Sequence, residues 1–352
     1  MEAEITQRHR ESGIEELMES TSTEFDLEIP PGLDAGMISY AQNGEDVVLA
    51  RLLEIIDNGV YIDVGAGHPI LENVTFWLYK NGWSGVNVEP MDREASLLRS
   101  IRPRDETLQT VVDSRHGIVR FFEAPLNNRG ASTVVESIAD RYRRAGEVFE
   151  TREIEAITLA TVLGRFQPGT VHVVKIDVEG SEASVLAGAD LHHHRPWVLV
   201  IEATQPNSQV SSSSEWIELV TGAGYVPVLF DGLNIFFVRD DLSEVQELLS
   251  RPANVFDRWV SFREVMVRSS YARERTGFEE RIIEAENYAV SLKETCDQLR
   301  QEFKTCEKYA LSLHADREII LTRESQLNDR IRTLNDDVNR LEREIARLQS
   351  PE

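Results

Sequence analysis

The C-terminal part of the chain carries a heptad pattern that restricts it to long α-helix. Nine successive d positions hold apolar residues or cysteine: Leu292, Leu299, Cys306, Leu313, Ile320, Leu327, Leu334, Leu341 and Leu348. The matching a positions are Ala289, Cys296, Phe303, Ala310, Arg317, Glu324, Ile331, Val338 and Ile345. No proline or glycine interrupts them. The pattern therefore predicts a coiled coil over residues 281–350, on the order of 100 Å long.

The composition of this seam indicates a homo-oligomer. The last three heptads pair a β-branched a residue with Leu at d, which favours a parallel dimer. Arg317 and Glu324 occupy neighbouring a positions, so a trimer stays open. We therefore expect a long parallel α-helical coiled coil that joins two or three chains. The two cysteines, Cys296 and Cys306, lie on the seam as small core residues, and so few cysteines favour a reducing, cytoplasmic compartment.

The rest of the chain divides into three segments. Residues 1–36 are acidic and poor in large apolar side chains, which predicts a loosely ordered tail. Residues 37–240 alternate short apolar runs with helical stretches, as an α/β domain does. Residues 241–280 have a helical pattern and are expected to connect that domain to the coiled coil.

The α/β segment predicts a Rossmann-like sheet. Five apolar runs have the length of buried parallel strands: Val60–Val64, Ser84–Val88, Leu108–Val112, Val171–Ile176 and Trp197–Ile201. Two further runs, Tyr225–Phe230 and Ile235–Val238, are joined by Asp231-Gly232-Leu233-Asn234, which is typical of a hairpin. The sequence thus predicts a parallel sheet with one antiparallel C-terminal strand. Class I methyltransferases have such a sheet, and dehydrogenases do not.

Charge and hydropathy restrict the partners of the chain. The net charge is −24, whereas binding to nucleic acid or to anionic lipid requires a basic surface. No window of 18 apolar residues exists, so we expect no direct membrane insertion. A nucleic-acid partner is therefore not expected.

A glycine-containing turn and an acid on the next strand indicate an adenosine site. The first strand ends in Asp63-Val64-Gly65-Ala66-Gly67, where glycines let the backbone approach a ligand closely. Glu89 ends the second strand, where a carboxylate can accept both hydroxyls of a ribose. A dinucleotide enzyme shares this geometry, but Ile70 stands where its third glycine belongs. Because Asp63 suits the amino-acid end of S-adenosylmethionine, that cofactor is favoured.

Carboxylates also end the fourth and fifth strands. Asp177 follows the fourth and Glu202 the fifth, so the two are expected to face each other across the pocket. Two such groups can bind a hard divalent cation such as Mg²⁺. The alternative is a purely structural role, such as a salt bridge with Lys175. The tract His192-His193-His194 is expected to be a solvated loop, and His172 a structural residue.

Five segments at matching mutual spacing resemble the FkbM family of methyltransferases. They are Ser39–Asp46, YIDVGAGHP from Tyr61, GWSGVNVEP from Gly82, KIDVEGSE from Lys175 and DGLN from Asp231. The resemblance spans residues 38–240 and leaves the coiled coil outside. Members are typically S-adenosylmethionine-dependent O-methyltransferases of sugars, polyketides or other natural products. The variant with Arg195-Pro196-Trp197 resembles those of bacterial surface-polysaccharide clusters, of O-antigen or capsule type.

The resemblance implies a role for individual residues. The cofactor would contact Gln42 at its methionine end, Asp63, Gly65 and Gly67 at the loop, Glu89 at the ribose, and Asp113 and Ser114 at the adenine. Asp177 would lie nearest the transferred methyl group. His68 departs from the family pattern, in which Asn or Asp is common, and leaves the general base open between Asp177 and His68.

These expectations combine into a functional hypothesis. The chain would methylate a sugar hydroxyl of a surface glycan and cap its growing end. The coiled coil would act as a spacer or ruler towards a polysaccharide polymerase or export machinery at the inner face of the membrane. Alternatives are a small-molecule or natural-product O-methyltransferase and a catalytically idle scaffold.

Overall fold

The computed structural model describes residues 29, 35–206, 208–312 and 317–349. The chain divides between Met266 and Val267 into two compact units. The acidic tail expected over residues 1–36 lies almost wholly outside the described residues.

The first unit contains twelve described strands and most of the helices. The strands are β1 (Met37–Ser39), β2 (Val60–Val64), β3 (Ser84–Val88), β4 (Glu106–Leu108), β5 (Val111–Val112), β6 (Gly117–Glu123), β7 (Glu150–Ile157), β8 (Val173–Ile176), β9 (Val198–Glu202), β10 (Tyr225–Phe230), β11 (Asn234–Arg239) and β12 (Trp259–Ser261). The helices of the chain are α1 (Glu45–Ala50), α2 (Phe76–Lys80), α3 (Asp92–Ile101), α4 (Glu136–Arg144), α5 (Leu159–Leu163), α6 (Glu182–Ala187), α7 (Leu191–His194), α8 (Ile217–Gly222), α9 (Ser243–Leu249), α10 (Phe262–Ser312) and α11 (Arg317–Gln349). Short 3₁₀ turns cover Arg51–Glu54, Leu126–Ala131, Ser213–Glu215 and Val255–Asp257.

Seven described strands form the main sheet in the order β10-β11-β9-β8-β2-β3-β4. Strand β11 runs antiparallel to both of its neighbours, and the other neighbouring pairs are parallel. This is the class I methyltransferase sheet, so the predicted fold is confirmed. Strands β2 and β3 begin and end where the sequence pattern predicts. The third predicted run is divided, because Val111–Val112 leaves the main sheet for a second one.

The sheet is buried on both faces, which is why its strands are nearly continuous apolar runs. Tyr61 points to one face, whereas Ile62 and Val64 point to the other, and all three are buried. The same alternation divides Val198 from Leu199 on β9. Two apolar layers therefore cover the sheet. The polar residues at the ends of its strands interrupt this apolar pattern and are the candidates for a functional site.

The sequence pattern missed two smaller sheets. Strands β5, β7 and β6 form a three-stranded sheet, in which β6 and β7 are largely exposed and carry many charged residues. Strand β1 pairs in parallel with β12, more than 200 residues later. The helical connector expected over residues 241–280 therefore needs correction, because its middle supplies a strand to the first unit. Short or solvated strands lack the apolar run that identifies a buried one.

The C-terminal unit is a helical hairpin, so the single continuous rod expected from the heptads is wrong. Leu292 and Cys296 on α10 are buried in one cluster with Leu334 and Leu341 on α11. On one continuous helix Leu292 and Leu334 would be roughly 63 Å apart. The chain therefore reverses direction between the two helices. Leu313 lies outside the described residues, and the side chains of Ala310 and Arg317 are likewise not described.

This packing changes what the heptad pattern means. Apolar seam residues that were expected to face another chain are buried against the same chain. The seam therefore no longer supports a parallel dimer or trimer, although the heptad period correctly predicted helices. Among the described residues, no helix is long and apolar enough to cross a membrane.

The hairpin predicts that Cys296 is protected from thiol reagents by α11. Cys296 is 3% exposed, whereas Cys306 is only half-buried. Leu334→Glu places a charge in this packing and should separate α11 from α10 near Cys296. The labelling rate of Cys296 should then rise by roughly tenfold or more. The measurement is mass-resolved labelling kinetics of the two thiols.

The control is Leu321→Glu on the same helix, because Leu321 is 53% exposed and its substitution should leave both rates unchanged. In a parallel coil between chains, Cys296 would be covered by the same segment of a second copy. Unchanged protection in Leu334→Glu would therefore contradict the hairpin.

Candidate active site

A large cleft opens where the strand order of the main sheet reverses. The reversal lies between β2 and β8, and open α/β sheets bind ligands at the carboxyl ends of such strands. The cleft has a volume of about 1350 Å³. Small-molecule sites commonly have roughly 300–1,000 Å³, so this one has room for two molecules side by side.

The loop after β2 requires glycine at its first turn. Gly65 has φ +76°, and a Cβ built on it would lie 1.8 Å from the carbonyl oxygen of Asp177. Its N–H donates to the carbonyl of Val88, 3.0 Å away. The loop is thus wedged between the ends of β3 and β8. Gly67 also has a positive φ, +58°, but a Cβ there would meet only open space.

Glu89 ties this loop to the end of β3. One carboxylate oxygen accepts the N–H of Gly67 at 2.7 Å, and the other accepts the N–H of Met91 at 2.8 Å. Glu89 is almost fully buried yet lines the cleft, and burial raises the pKa of its carboxyl group to about 7. Each oxygen still has a lone pair for a further donor. The structure therefore puts Glu89 where the sequence predicts the ribose contact.

Asp63 lies beneath the loop rather than on the cleft surface. Its side chain is 1% exposed, and Oδ2 accepts the hydroxyl of Thr75 at 2.7 Å. Oδ1 has no hydrogen-bond partner in the described part of the protein. A buried carboxylate oxygen without a donor is costly unless a ligand supplies one.

A buried arginine that sequence inspection missed supports the same loop. Arg102 is 0% exposed, and it donates to the carbonyl of Pro69 at 3.0 Å and to Thr75 Oγ1 at 2.8 Å. Asn73 donates to the carbonyl of Ala66 at 2.9 Å. Nothing in the sequence marks Arg102, since it ends an ordinary amphipathic helix. The burial of Arg102 depends on the positions of its hydrogen-bond acceptors, which only the folded structure shows.

The segment Ser39–Asp46 forms the far wall of the cleft. Asp46 accepts the hydroxyl of Ser39 and the N–H of Tyr40, each at 2.6 Å, so it shapes the turn that carries Gln42. Gln42 is exposed and lines the cleft, as expected for a ligand contact.

Glu45, next to Asp46, has a structural partner on the β-hairpin formed by β10 and β11. It accepts the side-chain amide of Asn234, the first residue of β11, at 2.8 Å. Asn43 donates to the carbonyl of Asp231 at 3.0 Å, so two hydrogen bonds join two of the five family-like segments.

The expected metal pair does not fit a cation. Lys175 lies 2.9 Å from Asp177 Oδ2, so an ammonium group already neutralises that carboxylate. Burial by itself would lower the pKa of Lys175, but Asp177 and Asp63 raise it above its ordinary value. Burial raises the pKa of Glu202 to about 10, which leaves it protonated at neutral pH and a poor ligand. Among the described residues, no group of three or more potential ligands could hold a metal ion.

His68 lines the cleft, but its ring has a structural task. Nδ1 accepts the N–H groups of Ile70 and Leu71, at 3.1 and 3.0 Å. An imidazole that accepts at Nδ1 carries its proton on Nε2 and cannot take a second one without losing these bonds. His68 therefore fits a donor better than a general base.

Two residues expected at the adenine lie elsewhere. Asp113 lines a separate cavity of about 460 Å³, and Ser114 packs against Gly188, where a Cβ would lie 3.1 Å from the Cα of Ser114. The reason is that β5 joins the three-stranded sheet and turns the following residues away. The apolar side of the cleft is formed instead by Met91, Val111 and Phe121.

The loop after β8 contributes a glutamate whose role the sequence did not reveal. Glu179 lines the cleft and has φ +52°, which is uncommon for a residue with a side chain. The sequence shows the motif that contains Glu179, but it does not show the φ angle of this residue.

Part of the first unit matches a known protein family. Residues 63–227, a little under half of the chain, match the family model of the methyltransferase FkbM domain. No curated protein matches the chain. The matched residues all lie in the first unit, which is thus similar to the methyltransferase FkbM domain between β2 and β10.

Solved structures resemble the chain only distantly. A TehB-like SAM-dependent methyltransferase from Corynebacterium glutamicum is 10% identical with a TM-score of 0.33, over 66% of this chain and 98% of that one. A putative S-adenosyl-L-methionine-dependent methyltransferase from Methanococcus maripaludis is 11% identical with a TM-score of 0.28, over 55% and 84%. TrmK from M. capricolum with S-adenosylhomocysteine is 10% identical with a TM-score of 0.27, over 83% and 96%. At such scores these matches decide neither substrate nor reaction.

The wedged loop predicts unequal effects of two alanine substitutions. Gly65→Ala combines a positive φ with a collision against backbone and should destabilise the first unit by more than about 3 kcal/mol. Gly67→Ala meets open space and should cost roughly 1–2 kcal/mol from its φ alone. Denaturant unfolding followed by tryptophan fluorescence measures this, because all five tryptophans precede Met266. Equal losses in the two variants would contradict the close approach at Gly65.

Proposed function

We propose that the chain is an S-adenosylmethionine-dependent O-methyltransferase acting on a sugar hydroxyl of a bacterial surface glycan, of O-antigen or capsule type. The observation that carries the methyl-donor site is Glu89, a buried carboxylate that lines the cleft, with one oxygen bonded to the glycine loop at Gly67 and the other to the backbone of Met91. The glycan assignment rests on the resemblance of the sequence motifs.

The lining of the cleft supports one orientation of the cofactor in this proposal. Its ribose hydroxyls would donate to Glu89, and its adenine would lie against the apolar side near Met91 and Phe121. Its methionine end would point towards Gln42 and the buried Asp63, whose Oδ1 lacks a donor. The sulfonium centre would then lie over the end of β8, beside Asp177.

The charge of the cleft supports an acceptor without negative charge. Six acidic residues line it, whereas its lining, among the described residues, has two cationic residues, Lys175 and Arg263, which pair with Asp177 and Glu72. The cationic cofactor would offset one further carboxylate. An acceptor that carries a further carboxylate or phosphate would be repelled, whereas a neutral sugar would not.

Methyl transfer requires that the acceptor oxygen attack the methyl carbon as the carbon–sulfur bond breaks and the hydroxyl proton leaves. The pocket supplies proximity and water exclusion for this step, and a carboxylate at the end of β8 supplies the base. The chain itself provides these groups, so the proposal needs no bound metal.

Polymerase or export machinery remains a proposed partner of the helical unit. The ruler part of the hypothesis is weakened, because the hairpin folds the heptads back and shortens the reach. Helix α10 spans roughly 75 Å at 1.5 Å per residue, including its first residues in the catalytic unit.

The test is a methyl-transfer assay on the purified chain with unlabelled S-adenosylmethionine, read by mass spectrometry. Neutral oligosaccharides should gain 14 mass units per transferred methyl, whereas matched uronic-acid oligosaccharides should react at least about tenfold more slowly. Prior treatment with a chelator should leave the rate unchanged. Cofactor binding without transfer to any sugar, but with transfer to a small aromatic or polyketide hydroxyl, would instead support a natural-product enzyme.

Cofactor affinity should depend on the protonation of Glu89. A ribose hydroxyl donates better to a carboxylate than to a carboxylic acid, and the pKa of the unliganded group is about 7. Affinity should therefore rise with pH, by up to about tenfold between pH 6 and pH 8, and level off above. Calorimetric titration across this range measures it.

The matched variant is Glu89→Gln, which should bind the cofactor more weakly and with a smaller rise over the same range. Glu45, whose pKa is also near 7, titrates in parallel but lies outside the cleft lining. A pH dependence of the same size in Glu89→Gln would assign the effect to another group.

A further inference from the structure

The backbone of Glu179 is held in a conformation that the residue itself disfavours. Its φ is +52°, and Gly180 beside it has φ +93°. A side chain in the left-handed region crowds the following carbonyl, so such a residue persists only where its surroundings impose it.

Three contacts impose this conformation. Glu182 accepts the N–H groups of Val178 and Gly180, at 3.3 and 3.1 Å, and so closes the loop from below. The hydroxyl of Thr133 donates to the carbonyl of Glu179 at 2.9 Å and fixes it from the three-stranded sheet side. With its backbone fixed on both sides, Glu179 directs its side chain into the cleft that it lines.

The other carboxylates of the cleft are engaged. Glu89 accepts two backbone N–H groups, and Asp177 pairs with Lys175 at 2.9 Å. Glu72 pairs with Arg263 at 3.5 Å. Glu94 and Glu147 each have an interaction partner as well.

The carboxylate of Glu179 differs from these. It has no hydrogen bond or ion pair with the side chains that the structure describes, and a Cβ added at Gly130 would lie 3.8 Å from its Oε1. Both residues line the cleft. Glu179 can therefore receive a proton without breaking an existing bond, which neither Asp177 nor His68 can do.

The charged groups around Glu179 come from four elements. Asp177 and Lys175 belong to the end of β8, Glu182 to α6, Glu202 to β9 and Arg141 to α4. Burial raises the pKa of Glu179 well above its ordinary value, and Asp177 and Glu182 raise it further. Burial and the neighbouring carboxylates thus favour the protonated form of Glu179, whereas a sulfonium cation bound nearby would favour its ionised form.

We propose that Glu179 is the general base that accepts the proton of the acceptor hydroxyl. This rests on the proposed methyltransferase function. The oxygen lone pair forms the bond to the methyl carbon, the carbon–sulfur bonding pair returns to sulfur, and the hydroxyl proton passes to Glu179. The neutral thioether product then removes the positive charge that kept Glu179 ionised. Cofactor exchange is therefore linked to the release of that proton to solvent.

The kinetic test compares Glu179→Gln with Glu179→Asp and Asp177→Asn. Glu179→Gln should lower kcat by about 10²- to 10⁴-fold, while the Kd for S-adenosylmethionine should change by less than about threefold. The wild-type rate should rise with pH along a limb that Glu179→Gln abolishes and Glu179→Asp partly restores. Asp177→Asn should be slower but keep the limb. A Glu179→Gln enzyme that retains the wild-type kcat and limb would overturn the proposal.

A second measurement needs no acceptor. Infrared difference spectra on adding S-adenosylmethionine should show a carboxylic acid becoming a carboxylate in the wild-type chain and not in Glu179→Gln. Adding S-adenosylhomocysteine should produce little of this change. The same difference spectrum in both proteins would reject Glu179 even if no acceptor is methylated, whereas a wild-type chain that binds no cofactor would reject the proposed function instead.

Discussion

The active-site end of the fold depends on one buried cation, Arg102. Its guanidinium donates to the backbone and side chains of the segment after β2. The same segment is held by a hydrogen bond from Gly67 to Glu89 and by the close approach of Gly65 to the end of β8. A buried charge is tolerated only when its donors are satisfied. Because Arg102 finds its acceptors among loop carbonyls and side chains, the need to satisfy it holds the loop in a ligand-ready shape before any ligand arrives.

The cleft above this network carries more negative than positive charge. Lys175 offsets Asp177, while Glu89, Glu179 and Glu202 have pKa values raised by burial. These raised pKa values favour protonated carboxyl groups, and in the proposed function a bound sulfonium cation would favour their ionised forms. Cofactor recognition and proton transfer would then depend on the same electrostatic imbalance, which methyl transfer would reverse because it makes the sulfur neutral.

Much of the candidate site could be predicted from the sequence, because apolar runs mark buried strands and so locate the residues at their ends. Gly65 and Glu89 follow the first and second runs and Asp63 lies inside the first, and the lengths and order of these runs predict one sheet edge. Asp113 and Ser114 were misplaced, since two polar residues after a short run give no sign that β5 belongs to a different sheet. His68 was correctly placed at the cleft, but its hydrogen bonds to the loop, which argue against a base, depend on ring orientation.

The sequence by itself determined the class I sheet, its antiparallel last strand, the glycine loop and the helical period of the C-terminal unit. Those features rest on periodicity and on local turn chemistry, which act over a few residues. Tertiary structure alone decided that the heptads fold back on themselves, because a seam of Leu292 and Leu334 is equally apolar whether its partner lies in the same chain or in another. The partner of Asp177, Lys175, lies two residues away in the chain and was already open to sequence reasoning. Tertiary structure alone decided the orientation of Glu179, because its φ of +52° cannot be read from the motif and the hydroxyl that holds its carbonyl belongs to Thr133, 46 residues earlier in the chain.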